Sequence, residues 1–248
     1  MAFNIEDYLN SLPLDTTEID ISRRGLTYLP DLSRFKELTE LDCSRNQLTE
    51  LPPLNNNLTQ LYCFQNKLTE LPPLNNNLQV LICSSNKLTY LPPLNNKLTL
   101  LYCSKNQLTW LPPLNNKLEK LYCYRNQLTE LPPLNNKLTL LYCYDNKLTW
   151  LPPLNNNLEK LSCYDNNIYN ENLKKYNNYY DNDNNNIIQT LRNFRNIYYL
   201  LKFKKHFKRW LWEKVREPKI MAKFHPSHLD ALEETDDLEV FLEDWINK

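Results

Sequence analysis

The chain has 248 residues, 42% of them hydrophobic and 12% aromatic, which is enough apolar matter for a folded core in one or two domains. Twenty-nine Lys and Arg balance 29 Asp and Glu, so the whole chain carries no net field that would select nucleic acid or an anionic membrane. Any electrostatic preference has to be regional, and the single glycine, Gly25, argues against a phosphate-cradling loop.

The N-terminal stretch MAFNIEDYLNSLPL has no basic region followed by an apolar one, and no apolar run reaches the roughly 18 residues of a membrane span. The expectation is a cytoplasmic protein with neither signal peptide nor transmembrane segment. Phe3 to Leu12 is amphipathic, with Phe3, Tyr8, Leu9 and Leu12 on its candidate buried side, and residues 1–18 are assigned as an N-terminal cap.

From Leu41 to Lys160 the chain consists of six uninterrupted 20-residue units of the form L-x-C-x-x-N-x-L-T-x-L-P-P-L-N-N-x-L-x-x. A 22-residue unit, Ile19 to Glu40, precedes them, and LSCYDNNI from Leu161 begins a last one, so residues 19–168 should contribute eight strands. In L-x-C the two apolar residues alternate at period two, which turns both inward from a short strand. The asparagines three residues after the cysteines, Asn46, Asn66, Asn86, Asn106, Asn126, Asn146 and Asn166, are placed to satisfy backbone groups of the neighbouring coil as one ladder. The Pro-Pro pair can enter neither a helix nor a sheet ladder, so the return limb should be extended and polyproline-like.

This pattern resembles the leucine-rich-repeat family, in the shortest subtype known from bacterial effectors. The resemblance implies an α/β solenoid: a curved parallel sheet, an extended convex limb without helices, and a concave face that binds a protein. Effectors of this subtype often carry a ubiquitin-ligase domain with a catalytic cysteine. No Cys follows Cys163 here, so the resemblance does not extend to that activity, and no enzyme is expected. The array and its tail also resemble leucine-rich-repeat proteins of large DNA viruses infecting amoebae, which suits the apparently AT-rich coding composition and would make the partner a host protein and the compartment the host cytoplasm.

Cys43, Cys63, Cys83, Cys103, Cys123, Cys143 and Cys163 share one inward slot. Stacked strands put successive Cα atoms about 4.8 Å apart, a distance that permits disulfides, but the odd count and parallel orientation favour buried, reduced thiols. Zinc sites converge four ligands on a point, which a row does not, so no metal or other cofactor is expected.

The outward positions around each Cys form two rows. One reads Asp42, Tyr62, Ile82, Tyr102, Tyr122, Tyr142, Ser162; the other reads Ser44, Phe64, Ser84, Ser104, Tyr124, Tyr144, Tyr164. The candidate partner-binding residues are Tyr62, Phe64, Tyr102, Tyr122, Tyr124, Arg125, Tyr142, Tyr144 and Tyr164, read as a contiguous exposed aromatic strip edged by Lys120 and Lys160. Cross-strand aromatic pairing that only stabilises the sheet is the competing explanation. Leu81–Lys120 and Leu121–Lys160 are identical at 31 positions, so part of this pattern records duplication.

Residues 169–186 are polar and Asn/Tyr-rich, consistent with an exit cap and linker, and residues 187–248 suggest a small helical region. Ile187 to His225 carries a net charge of +9 and Leu229 to Lys248 a net charge of −7. Mutual packing of the two is expected, with Ser227 and Asp230 as a capping box. The alternative is a tether whose basic helix, bearing Trp210 and Trp212, engages membrane, nucleic acid or a calmodulin-like partner. His225 and His228 lack further ligands and are read as surface residues. The chain is expected to be monomeric.

Overall fold

A computed structural model describes residues 3–168. The chain enters through α1 (Ile5–Ser11), whose first turn is capped by Asn4: its side-chain oxygen accepts from Glu6 N at 3.0 Å and Asp7 N at 3.3 Å. Glu6 and Asp7 add negative charge where the helix dipole favours it. Ile5 and Leu9, one turn apart, are buried against the first coil. The expected face is the one that packs, with its burial unevenly shared. Leu9 is inside, but Phe3, Tyr8 and Leu12 are half-buried at its margin, and Ile5 is the second anchor.

Eight three-residue strands follow: β1 (Glu18–Asp20), β2 (Glu40–Asp42), β3 (Gln60–Tyr62), β4 (Val80–Ile82), β5 (Leu100–Tyr102), β6 (Lys120–Tyr122), β7 (Leu140–Tyr142) and β8 (Lys160–Ser162). They pair in parallel and in chain order, with β1 offset by 22 residues from β2 and every later pair offset by 20. The sheet is therefore the repeat made visible. Each turn of the chain returns the same residue type to the same rung, one strand further along.

Beyond each strand the ladder runs on through the cysteine, as in Cys103 N to Tyr122 O at 2.8 Å, and two residues after the cysteine, as in Lys105 N to Tyr124 O at 2.9 Å, the backbone turns away. The turning residue is left-handed in every coil: Arg23, Arg45, Gln65, Ser85, Lys105, Arg125, Asp145 and Asp165 have φ between 51 and 56°. None is glycine or asparagine, so each costs on the order of 1 kcal/mol of backbone strain that the rest of the coil offsets.

The core is a column of leucines. In the inner coils Leu88, Leu98, Leu101 and Leu108 have no exposed surface, and burying one leucine contributes roughly 1.5–3 kcal/mol. No coil can bury its own leucines alone, because half of each contact comes from the coil above or below. The wider first unit is filled by Phe35, fully buried with Leu32 and Leu38. The Pro-Pro limb contains no helix, which keeps the unit at 20 residues.

The exit cap, the linker and the basic and acidic C-terminal segments expected from the sequence lie outside the described residues. Among the described residues no helix is long and apolar enough to cross a membrane.

Candidate functional site

The open face of the sheet is built from three outward rows. The first runs Glu18, Glu40, Gln60, Val80, Leu100, Lys120, Leu140, Lys160 along the strands, and the other two carry the aromatic residues. What holds the rows in register is hydrogen bonding at the turn. Asn126 is representative: its amide nitrogen donates to Cys103 O at 3.1 Å and Cys123 O at 3.0 Å, while its oxygen accepts from Leu108 N at 3.0 Å. The same contacts recur from Asn66 to Asn166. Asn46 varies them, accepting from Arg24 N and Leu26 N and donating to Ile21 O, Cys43 O and Ser44 O.

A second asparagine ladder was not anticipated. Asn75, Asn95, Asn115, Asn135 and Asn155 each donate to the preceding ladder asparagine's carbonyl and to a leucine carbonyl, at 2.6–3.0 Å. Asn55 begins it, donating to Leu32 O and Phe35 O. The signal was present in the invariant L-N-N of the six units, whose first asparagine stands at the turn where the carbonyls of the stacked asparagine and leucine need donors.

The seven cysteines are free thiols on the inner side. Burial pushes Cys43, Cys83 and Cys123 up to about 12, and it pushes Cys63, Cys103 and Cys143 well up too, with neighbouring cysteines of the row adding to it. Such thiols are poor nucleophiles and poor metal ligands. Cys163 departs from the expectation of uniform burial. It is only partly buried. Among the described residues no three His, Cys, Asp or Glu side chains gather as metal ligands would.

Tyr102, Tyr122 and Tyr142 form one aromatic column, with centroids 4.7 and 5.3 Å apart; the first pair is stacked and the second edge-on. Tyr124, Tyr144 and Tyr164 form the other, stacked at 4.4 and 4.5 Å with planes within 7 and 10° of parallel. The Tyr102 and Tyr124 hydroxyls join the columns at 2.5 Å. Burial and that hydrogen bond raise Tyr102 well above the ordinary phenol range; burial, Tyr124 and Tyr164 do the same for Tyr144, with Arg125 opposing. Burial also raises Tyr122, with Tyr142 and Tyr124 adding to it. Arg125 reaches Asp145 at 3.3 Å, an exposed pair that contributes little to stability.

Three expectations about this surface need correction. The strip is not contiguous: Tyr62 and Phe64 on the third coil are cut off from the columns by Ile82 and Ser84. Tyr62 instead donates to Gln60 Oε1 at 2.6 Å, and Phe64 lies under the Arg45 guanidinium, 5.5 Å from its carbon. The rings are half-buried, since each covers its neighbour. Ser44 and Ser104, assigned to an outward row, are buried; Ser104 donates to Tyr122 O at 3.3 Å. The large apolar side chains with the most exposure are elsewhere: Tyr28, Tyr90, Trp110 and Trp150, in the turn after each strand limb, together with Leu14.

A family model described as leucine-rich repeats in two copies matches residues 36–76. Among solved structures the chain is similar to YopM from Yersinia enterocolitica, with 31% identity over 64% of this chain and 40% of that one, at a TM-score of 0.55. YopM from Yersinia pestis, titled a leucine-rich effector protein, is 27% identical over 65% of this chain and 52% of that one, at 0.58. A Shigella effector leucine-rich-repeat domain is 32% identical over 69% of this chain and 78% of that one, at 0.60. The chain thus spans about half or less of either YopM structure and most of the Shigella domain. No curated protein matches it.

Proposed function

We propose that this chain, which belongs to the leucine-rich-repeat family, is a non-enzymatic scaffold that binds a protein partner on the concave face of its sheet, centred on Tyr102, Tyr122, Tyr124, Tyr142, Tyr144 and Tyr164. Leucine-rich-repeat folds are in general protein-interaction scaffolds. The observation that carries the finer reading is the pair of tyrosine columns on a sheet fixed by two asparagine ladders. Rigid aromatic rings give large contact area with little side-chain entropy left to lose. Tyr62, Phe64 and Arg125 belong to the rim of this surface.

Free buried cysteines suit a reducing compartment, which supports a cytoplasmic protein; we read it as a monomeric adaptor. If the chain is of viral origin, that compartment and partner are the host's. Oxidative footprinting of the chain alone and in its complex tests the site. The columns should become protected in the complex; protection confined to Trp110, Trp150 and Tyr90 would move the site to the turn edge.

A further inference from the structure

The open face changes character along the array, and the change restricts what can lie on it. Its first two strands present Glu18, Asp20, Glu40 and Asp42 side by side. Burial raises Glu40, and the next causes are Glu18, Asp42 and Asp20, so these carboxylates repel one another. Arginines of the adjoining turn lie close, and Arg24 and Arg23 help to lower Asp20 after the Ser22 hydrogen bonds. The Arg24 guanidinium lies over Phe3 at 4.8 Å and that of Arg45 over Phe64, where both keep their charge, yet the charges acting on Glu40 are those of the three neighbouring carboxylates. The middle strands present Val80, Ile82 and Leu100, half-buried and apolar. The last four present the tyrosine columns, with Lys120 and Lys160 in the first row and Glu119 and Glu159 one residue before them.

In the second column the ring faces are spent on one another, and its stacking axis runs along the array, so a partner meets ring edges and hydroxyls. That column does not offer a nucleobase the free ring face it stacks on. It suits a chain that brings carbonyl acceptors and compact apolar rings, as polyproline-like peptide does, with its backbone unpaired and its conformation already ordered.

Resting on the binding face proposed above, we infer that its occupant is an extended, cationic, proline-containing polypeptide segment, with Lys or Arg over β1 and β2 and prolines against the tyrosines of β5–β8. The dimensions are specific. Eight strands about 4.8 Å apart span about 34 Å, which an extended polyproline-like segment at about 3.1 Å per residue covers with about 11 residues. Three strand steps separate β2 from β5, so the basic and proline parts should lie about five residues apart.

The test is selection of random twelve-residue peptides, displayed on phage, against the immobilised full chain. Enriched peptides should carry at least two Lys or Arg about five residues from a proline-containing apolar stretch. A synthetic copy of one should bind Glu18→Gln/Glu40→Gln about tenfold more weakly, and added salt should weaken binding to the unaltered chain, as expected for charge-steered recognition. Peptides without basic residues, or with unchanged affinity for the carboxylate variant, that still lose binding to Tyr122→Ser/Tyr144→Ser would leave the face intact and overturn its cationic partner. Enriched peptides indifferent to the tyrosine variant would overturn the reading of the face itself. No enrichment at all would overturn the peptide proposal.

Discussion

Replacing Asn146 by Ala removes a side chain that holds two coils together. Its amide donates to Cys123 O at 3.1 Å, Cys143 O at 3.0 Å and Tyr144 O at 3.3 Å, and its oxygen accepts from Leu128 N at 3.0 Å. The residue is only 8% exposed, so water cannot take over these roles cheaply. A net 1 kcal/mol or so for each of the two shortest donations, plus about 1–3 kcal/mol for stranding the Leu128 N–H, gives a loss of about 3–5 kcal/mol. In urea, with a slope of about 1–3 kcal/mol per molar, the midpoint should fall by at least about 1 M. Asn96→Ala, at an exposed position of the same repeat motif, is the control and should change stability by under about 0.5 kcal/mol. Equal effects at the two positions would refute the ladder as the source of coil-to-coil stability.

Thiol labelling of the native chain should be slow throughout, because burial raises all seven thiols, with the partly exposed Cys163 reacting first and the six inner cysteines only after unfolding; fast reaction at Cys103 or a disulfide anywhere would contradict this. Raised thiols and phenols are neutral in the fold, so their contribution is fully present below the unfolded values of 9.0 and 10.0 and is lost as pH rises above them. Melting curves should therefore stay level to about pH 9 and fall in stronger alkali, with Tyr144→Phe falling less steeply than the unaltered chain. Ser85→Asn, at φ 56°, should stabilise by a few tenths of a kcal/mol or more in chemical denaturation, because Asn tolerates the left-handed region better; destabilisation would show that the Ser85 side chain has a packing role of its own.

The period of 20 made most of the fold legible. A repeat that returns Leu and Cys at fixed offsets dictates the parallel order of the strands, their register and the inward column before any contact is known. Pro-Pro excluded a convex helix for the same local reason. The N-terminal cap was legible only as an amphipathic stretch, because the choice between Ile5 and Phe3 as anchor depends on how α1 tilts onto the first coil. The left-handed turn residues were barely legible: Asp145 and Asp165 are of a type that tolerates that conformation, but Arg, Gln, Ser and Lys carry no signal for it and the strain is imposed by the coil. At the site, alternation identified which side chains share the outer face. The break at Ile82 and Ser84 was legible in the same two rows, but alternation could not show that Tyr102 and Tyr124 join through their hydroxyls or that Ser104 is covered, because those outcomes depend on rotamers and on side-chain size in adjacent coils.

The stacking of the columns bears on how the binding face has to be tested. A stacked aromatic pair contributes roughly 0.5–1.5 kcal/mol beyond burial, so removing three rings costs some stability, and loss of binding must be judged on protein that is still folded. The direct measurement is quantitative affinity capture from the native cell at a temperature where every variant is folded, comparing the unaltered chain with Tyr122→Ser/Tyr124→Ser/Tyr144→Ser and with Trp110→Ser/Trp150→Ser. The account predicts a protein captured equally by the unaltered chain and the tryptophan variant and lost with the tyrosine variant. The same protein captured undiminished by the tyrosine variant would contradict it.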